Sequence, residues 1–480
     1  MNASLPAPRR ALRVLGWAMA AALGLPALVL LAWLASNWGD APVQPRPAPL
    51  QLPATGVSEA RNAHDALAGV LALPDADPAQ VARDERARTA AWLAKPLAER
   101  MAMVAQPRKT PQPVTRQSQP RGEPWFCPDG QALCAITWLD QHPALARQRE
   151  TLAWGARCDA LADNDLVIEE HIDQPLRLAS VIAQHVTGAT ACTRWSQTGM
   201  AVAFAAGDAA ALERELARAD RLNRALLAGS RSLISTLVTA RTAHSLLDLA
   251  ATLAVRDAAL AERLQALLAG WPAQAELARR WMVHESSFGA AALDEAFEYC
   301  LDPVAEVQPA FVGNLGWSDR LTNSVNRLMC RHGIGLHRQR TQVYADALWL
   351  ERLAVLDAGG LEALDRFSQT PEGGGLGGLH WRNTFGAIMV DIGSATYGDH
   401  VRRQRDLELH HRLVSLVLAM RRQGIEPGSR AGWLARQRLS AEERERIVVR
   451  DEGRTIAARG FAERSPVVGA GGEFRITWPD

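Results

Sequence analysis

Few places in this chain combine residue types and spacing in a way that could do chemistry. The segment His284-Glu285-Ser286-Ser287-Phe288 opens like a zinc-protease helix. That chemistry needs a second histidine four residues after the first, on the same helix face, and Phe288 stands there, so no metal is expected. The six cysteines, Cys127, Cys134, Cys158, Cys192, Cys300 and Cys330, contain no Cys-x-x-Cys and fit no zinc module. Structural disulfides are the expectation, in the sequential set Cys127 with Cys134, Cys158 with Cys192, and Cys300 with Cys330. His332 and His337 flank Gly333 and Gly335, a spacing that suits neither a helix face nor a metal loop, so they read as solvent-exposed. Arg241, Ser245 and Asp248 fall at i, i+4 and i+7 on a leucine-rich helix and read as its solvent-facing stripe. His410-His411, in a later helix between charges, suggests no chemistry. The glycine-rich residues 372–378 follow no expected strand and precede no Gly-Lys-Ser/Thr, so they read as a loop rather than a phosphate cradle. No Ser-x-x-Lys, Gly-x-Ser-x-Gly or Walker pattern is present, which disfavours a penicillin-binding protein, a serine hydrolase or an ATPase. No cofactor is expected.

The first forty residues decide where the remainder works. Arg9, Arg10 and Arg13 precede an uncharged run over 14–39, closed by Trp33 and Trp38. Its apolar part, 14–35, would make a helix of ~33 Å, enough to cross a hydrocarbon core of ~30 Å. Arginines before the run and Asp40 after it orient the N-terminus toward the cytoplasm. A cleaved signal peptide would have a shorter apolar region and small residues at the cut, whereas Trp33 occupies the third position before a cut after Ala35. An uncleaved anchor is therefore expected. Basic residues are nearly all arginine, with lysine only at Lys95 and Lys109, which points to a GC-rich bacterial genome and so to a periplasmic body behind an inner-membrane anchor. Cysteines that all follow the anchor agree with an oxidising compartment. The formal net charge of +1 implies no attraction for nucleic acid.

The elements that must position any site then follow in order. Pro42, Pro45, Pro47, Pro49 and Pro53 make 41–55 an extended linker holding the body off the bilayer. Two helices are expected within 56–105, one over 58–73 with Ser58 as N-cap and one over 78–104 interrupted at Pro96. Residues 106–125 are a proline-rich loop, and 126–370 a disulfide-containing helical body. Within it, 208–268 reads as three helices with short connections, hence antiparallel neighbours. Residues 371–480 hold the glycine-rich loop, an amphipathic helix over 397–422 with Leu409, Leu413, Leu416 and Met420 on one face, and short β-prone runs at 447–449, 455–457 and 474–478. The fold class is mainly α: an N-terminal transmembrane helix, an irregular helical bundle or array, and a small antiparallel β element at the C-terminus.

Two resemblances bear on function. Glu285-Ser286-Ser287-Phe288 resembles the Glu-Ser-x-Phe signature of soluble lytic transglycosylases, which implies Glu285 as a general acid/base in peptidoglycan cleavage. The Gly-Leu-Met-Gln segment of that family is replaced here by Gly289-Ala290-Ala291-Ala292-Leu293. The layout of anchor, proline-rich linker, helical cysteine-containing body, Asn383-Thr384-Phe385-Gly386, helix and β tail resembles a group of proteobacterial single-pass envelope proteins. That resemblance implies location and architecture only. The expected function is a membrane-anchored periplasmic scaffold or binding protein, whose partners are the membrane and an envelope protein or a second copy; the alternative is a peptidoglycan-cleaving enzyme using Glu285.

Overall fold

The computed structural model describes, apart from short gaps and isolated positions, residues 24–52, 62–95, 146–168, 184–301, 337–370, 397–462 and 472–478. These are mainly helical, with a small antiparallel sheet near the C-terminus. Most of the expected span and the proline-rich residues 106–125 lie outside them, as do Ser58, residues 372–378, Cys127, Cys134, Cys330, His332 and the side chain of Cys300. Among the described residues no helix is long and apolar enough to cross a membrane.

Helix boundaries follow local capping. Helix α1 is His64–Ala68, and α2, Pro78–Leu93, begins where Asp77 accepts the Ala79 N–H and Pro78 needs no donor of its own. After α3 (Gly155–Leu161) and α4 (Gln184–Ala205), Asp208 caps α5 (Ala209–Gly229) and Ser232 caps α6 (Leu233–Arg256). Asp257 ends α6 and caps α7 (Ala258–Leu268) in one residue. The three expected helices between 208 and 268 are therefore present, each starting at a side-chain acceptor that satisfies an otherwise orphaned N–H. Two long helices follow, α8 (Gln274–Leu301) and α9 (Arg338–Gln369). Helix α9 breaks at Gly359 and Gly360, where φ of +66° at Gly360 is a conformation that only glycine takes without strain.

Helix α10 spans Tyr397–Arg422, as the sequence pattern predicts, but its surroundings differ from a helix resting one face on a core. Leu409, Leu413, Leu416 and Met420 are buried, and so are Val401, Leu407, Val414, Val417 and Leu418. Polar residues Gln404, Arg405, Asp406 and His410 are buried with them. The helix is wrapped by α6, α7, α8, α9 and the sheet, so it is central rather than laid on a surface. Its mixture of charges and leucines all round reflects packing on several sides, each charge needing its own partner. Arg405, for example, pairs with Asp365 of α9 and with Glu442 of α12, Ala441–Arg446.

Three apolar cores result among the described residues. The largest joins α4 to α7 with α10, with α11 (Arg430–Ala435) and with the sheet. A second joins α1, α3, α4 and α5, and a third joins Leu50 to α8, α9 and the start of α10. In the second, Cys158 and Cys192 form a disulfide between α3 and α4, with Cα atoms 5.1 Å apart. Beside it Arg157 gathers backbone carbonyls of Val70, Ala72, Leu73, Pro74 and Ala76 at 2.7–3.1 Å, clamping the turn between α1 and α2. Gly188 allows α4 to approach α1 closely, since a Cβ there would collide with the Leu67 carbonyl.

Strands β1 (Ile447–Arg450), β2 (Thr455–Arg459) and β3 (Glu473–Thr477) form an antiparallel sheet in that order, with Ile447 opposite Ala458 and Ala458 opposite Phe474. On β3, Phe474 and Ile476 point into the core while Arg475 and Thr477 face out, the period-two pattern of a half-buried strand. The sheet is tied down by Arg430, whose guanidinium lies 3.8 Å from the Trp478 ring and donates to the Gly453 carbonyl at 2.6 Å.

Closing a loop with a sequence separation of 34, the disulfide limits the freedom of the unfolded chain. Replacing Cys158 and Cys192 together by serine is expected to lower unfolding stability by ~2–4 kcal/mol, read as a lower urea midpoint. An unchanged midpoint would contradict the assignment.

Candidate functional site

The residues singled out around position 285 lie inside the structure, on the buried face of α8. Glu285 is buried, not placed at an exposed helix end. Its Oε1 accepts the Leu233 N–H at 2.9 Å, so Glu285 satisfies the first turn of α6 while Ser232 satisfies the N–H of Ser235. A carboxylate at a helix N-terminus is favoured both by the free N–H groups and by the helix dipole. The geometry gives Glu285 a capping role that joins α8 to α6. Its neighbour His284 is buried too; neither ring nitrogen makes a hydrogen bond among the described residues, and its Nδ1 lies 3.9 Å from Glu285 Oε1.

Ser286 and Ser287 explain the other half of the motif. Arg46 donates from Nη2 to Ser286 Oγ at 2.8 Å and from Nη1 to Ser287 Oγ at 2.6 Å, and lies 3.3 Å from Asp346 Oδ1 on α9. Burial pushes the Asp346 carboxyl above its ordinary value, while Arg46 and Gln342 pull it down. Six residues earlier, Asp40 accepts the N–H groups of Gln339 at 2.7 Å and Arg340 at 3.1 Å. It supplies the cap for α9 that His337, the N-cap residue, does not provide with its own side chain. Four residues after Arg46, Leu50 is wholly buried in the core that contains Trp281, Met282, Trp349 and Leu353. Residues 40–50 are therefore a strap seated along α8 and α9. The expectation of a spacer holding the body away is corrected: proline favours the extended form, but Asp40, Arg46 and Leu50 each have a binding place across more than two hundred residues of sequence.

Behind the strap, Tyr397 stacks on Trp281 at 5.8 Å and meets Trp349 edge-on at 4.8 Å, with the Arg352 guanidinium 5.2 Å from Trp349 and 5.6 Å from Tyr397. Burial raises the Tyr397 phenol above its usual range, and the nearby charge of Glu285 adds to that. Trp281 donates to Gln404 Oε1 at 3.1 Å, linking this aromatic cluster to the middle of α10.

A second polar group lies deeper. His244 of α6 and His410 of α10 face each other with Nδ1 atoms 2.8 Å apart and ring planes 21° apart. Phe474 of β3 lies nearly parallel to both, 5.4 Å from His244 and 4.4 Å from His410. One proton occupies the Nδ1···Nδ1 contact, because two would collide. Asp248 Oδ1 is 3.1 Å from His410 Nε2, at an angle short of a hydrogen bond. One ring donates through Nδ1–H and the other accepts, the roles depending on the tautomer. Burial, then the neighbouring His410, hold His244 well below its ordinary pKa, so it is neutral. One turn earlier, Asp406 accepts the Phe461 and Ala462 N–H groups, fixing the chain after β2. Burial raises Asp406 to about 6 despite those two donors.

Sequence pattern missed the His244–His410 pair, since no spacing links positions 166 residues apart. Of the polar stripe, Arg241 is exposed, while Ser245 and Asp248 are half-buried. His337 is buried rather than solvent-exposed, because its N–H is held by the Asn383 side chain at 2.8 Å and Thr341 closes against its carbonyl at 2.6 Å. Among the described residues no group of three or more histidine, cysteine, aspartate or glutamate side chains could hold a metal. No protein-family model, curated protein or solved structure matches the chain.

Two outcomes are expected. Glu285→Ala should cost ~1–2 kcal/mol by leaving the Leu233 N–H without its buried acceptor, and Glu285→Gln distinctly less, since an amide oxygen can still accept. Equal losses in urea unfolding would contradict the capping role. For Asp406, the raised native pKa means that its contribution is fully present below about 3.8 and is lost as pH rises through about 6. The stability difference between the parent and Asp406→Asn should therefore change across that window by on the order of 3 kcal/mol and level off above it. A pH-independent difference would contradict it.

Proposed function

We propose that this protein is a bacterial envelope protein held in the inner membrane by its N-terminal apolar run, with the N-terminus cytoplasmic. Its helical body works on the periplasmic side as a scaffold or binding platform for an envelope partner or a second copy. The observation that carries the reading is the exposure of the apolar helical residues 28–31. Leu28, Val29, Leu30 and Leu31 are helical and 66%, 48%, 54% and 61% exposed. Successive helical residues turn by ~100°, so four in a row look in every direction around the axis. A helix with apolar side chains uncovered on all sides is unfavourable in water and at ease in lipid.

Further support comes from the disulfide between Cys158 and Cys192, which suits an oxidising compartment. The peptidoglycan-cleaving alternative has less support, because the Glu285 carboxylate is engaged with the start of α6. A scaffold needs only a stable body and a fixed address, and the buried polar pairings of α8, α9 and α10 serve the first of these.

Alkaline phosphatase fused after Asp480 is expected to be active in a Gram-negative host, and the protein to stay with membranes through a carbonate wash. An inactive fusion or release by carbonate would overturn the tether. Crosslinking in intact cells should give a discrete oligomer or partner band; its absence would remove the scaffold role. Full-length protein in detergent should release no muropeptides from sacculi, and release that Glu285→Gln abolishes would replace this reading with the enzymatic one.

A further inference from the structure

The strap carries an inference about orientation. Its three attachments progress along α9 in the same direction as the chain: Asp40 at Gln339 and Arg340, Arg46 at Asp346, and Leu50 in the core of Trp349 and Leu353. Helix α8 runs antiparallel beside it, as Arg338 pairs with Asp294 and Arg279 with Asp357. Asp40 follows the end of the apolar run at Ala35 by five residues. Even fully extended, five residues reach only ~17 Å. The first turn of α9 is thus tied within that distance of wherever the apolar run ends.

Resting on the membrane-tether reading, we infer that the body docks on the lipid headgroup layer with one defined end, the end at which α9 begins beside Asp294 of α8. The strap sets that orientation, and the kink at Gly359 and Gly360 points away from the bilayer. A proline-rich spacer without attachments would let the body swing and present every face in turn. Here a cap on α9, a guanidinium shared by two serines and an aspartate, and a buried leucine hold one pose. The partner this end meets is a phospholipid surface, not a protein.

The test uses full-length protein in vesicles of phosphatidylethanolamine and phosphatidylglycerol, with a fluorescent amino acid encoded at one of two exposed positions of α9, Val343 or Ala358. Fifteen residues of helix separate the two positions by ~22 Å, so a headgroup-attached spin label should quench the probe at 343 about threefold or more than the probe at 358. Asp40→Ala combined with Arg46→Ala should leave the protein floating with the vesicles but bring the two values together. Parent protein that floats with equal or reversed quenching overturns the orientation alone. A variant that keeps the full contrast overturns the strap as its cause. Protein that fails to float overturns the tether itself, and the orientation with it.

Discussion

The constraint on which the rest of this structure depends is the burial of a charged helix. Helix α10 lies at the centre, wrapped by four other helices and the sheet, and it takes Gln404, Arg405, Asp406 and His410 into the interior. A buried polar group without a partner costs more than most single contacts contribute, so each of these residues dictates something about its neighbours. Gln404 holds Trp281, and Arg405 holds Asp365 and Glu442 while stacking 3.8 Å from Phe461. Asp406 holds the backbone of residues 461 and 462, and His410 holds His244. These four residues recruit α6, α8, α9, α12 and the chain after β2. Apolar packing supplies most of the driving force for collapse, while the polar pairings select one arrangement of helices among many that would bury the same leucines.

The same logic extends to the edge of the molecule. Glu285, Ser286 and Ser287 invite a catalytic reading as a string, yet each is matched to a group that would otherwise be unsatisfied: the start of α6 for Glu285, and Arg46 for both serines. Asp40 does for α9 what Glu285 does for α6. Two long helices thus take their N-terminal acceptors from distant parts of the chain. One of those acceptors belongs to the segment that follows the apolar run, so the start of α9 and the chain just after that run are tied to each other.

How legible each feature was depends on the range over which its cause acts. Helices over 208–268, 397–422 and the strands near 447, 455 and 474 were readable because apolar periodicity, Asp or Ser caps and glycine breaks act within a few residues. The pairing of Cys158 with Cys192 was within reach because neighbouring cysteines in sequence are a reasonable first guess in an oxidising compartment. The stripe on α10 was readable but understated, since periodicity reports one apolar face and cannot show that charged residues on the others are also covered. His337 was misjudged for a related reason: beside glycines it looked exposed, and only Asn383, brought from 46 residues away with φ of +76°, explains its burial.

By itself, then, the sequence determined the helical class, the boundaries of the capped elements and the small C-terminal sheet, because these depend on propensity, capping and hydropathy within a few turns. Only the tertiary structure decided that the proline-rich segment is a strap and not a spacer, that Glu285 is a cap, and that His244 and His410 meet through their Nδ1 atoms. The physical reason is the same in each case. Hydrogen bonds and ion pairs carry no periodicity, so a donor and acceptor separated by 52, 166 or 300 residues leave no mark in the sequence until packing brings them within about 3 Å.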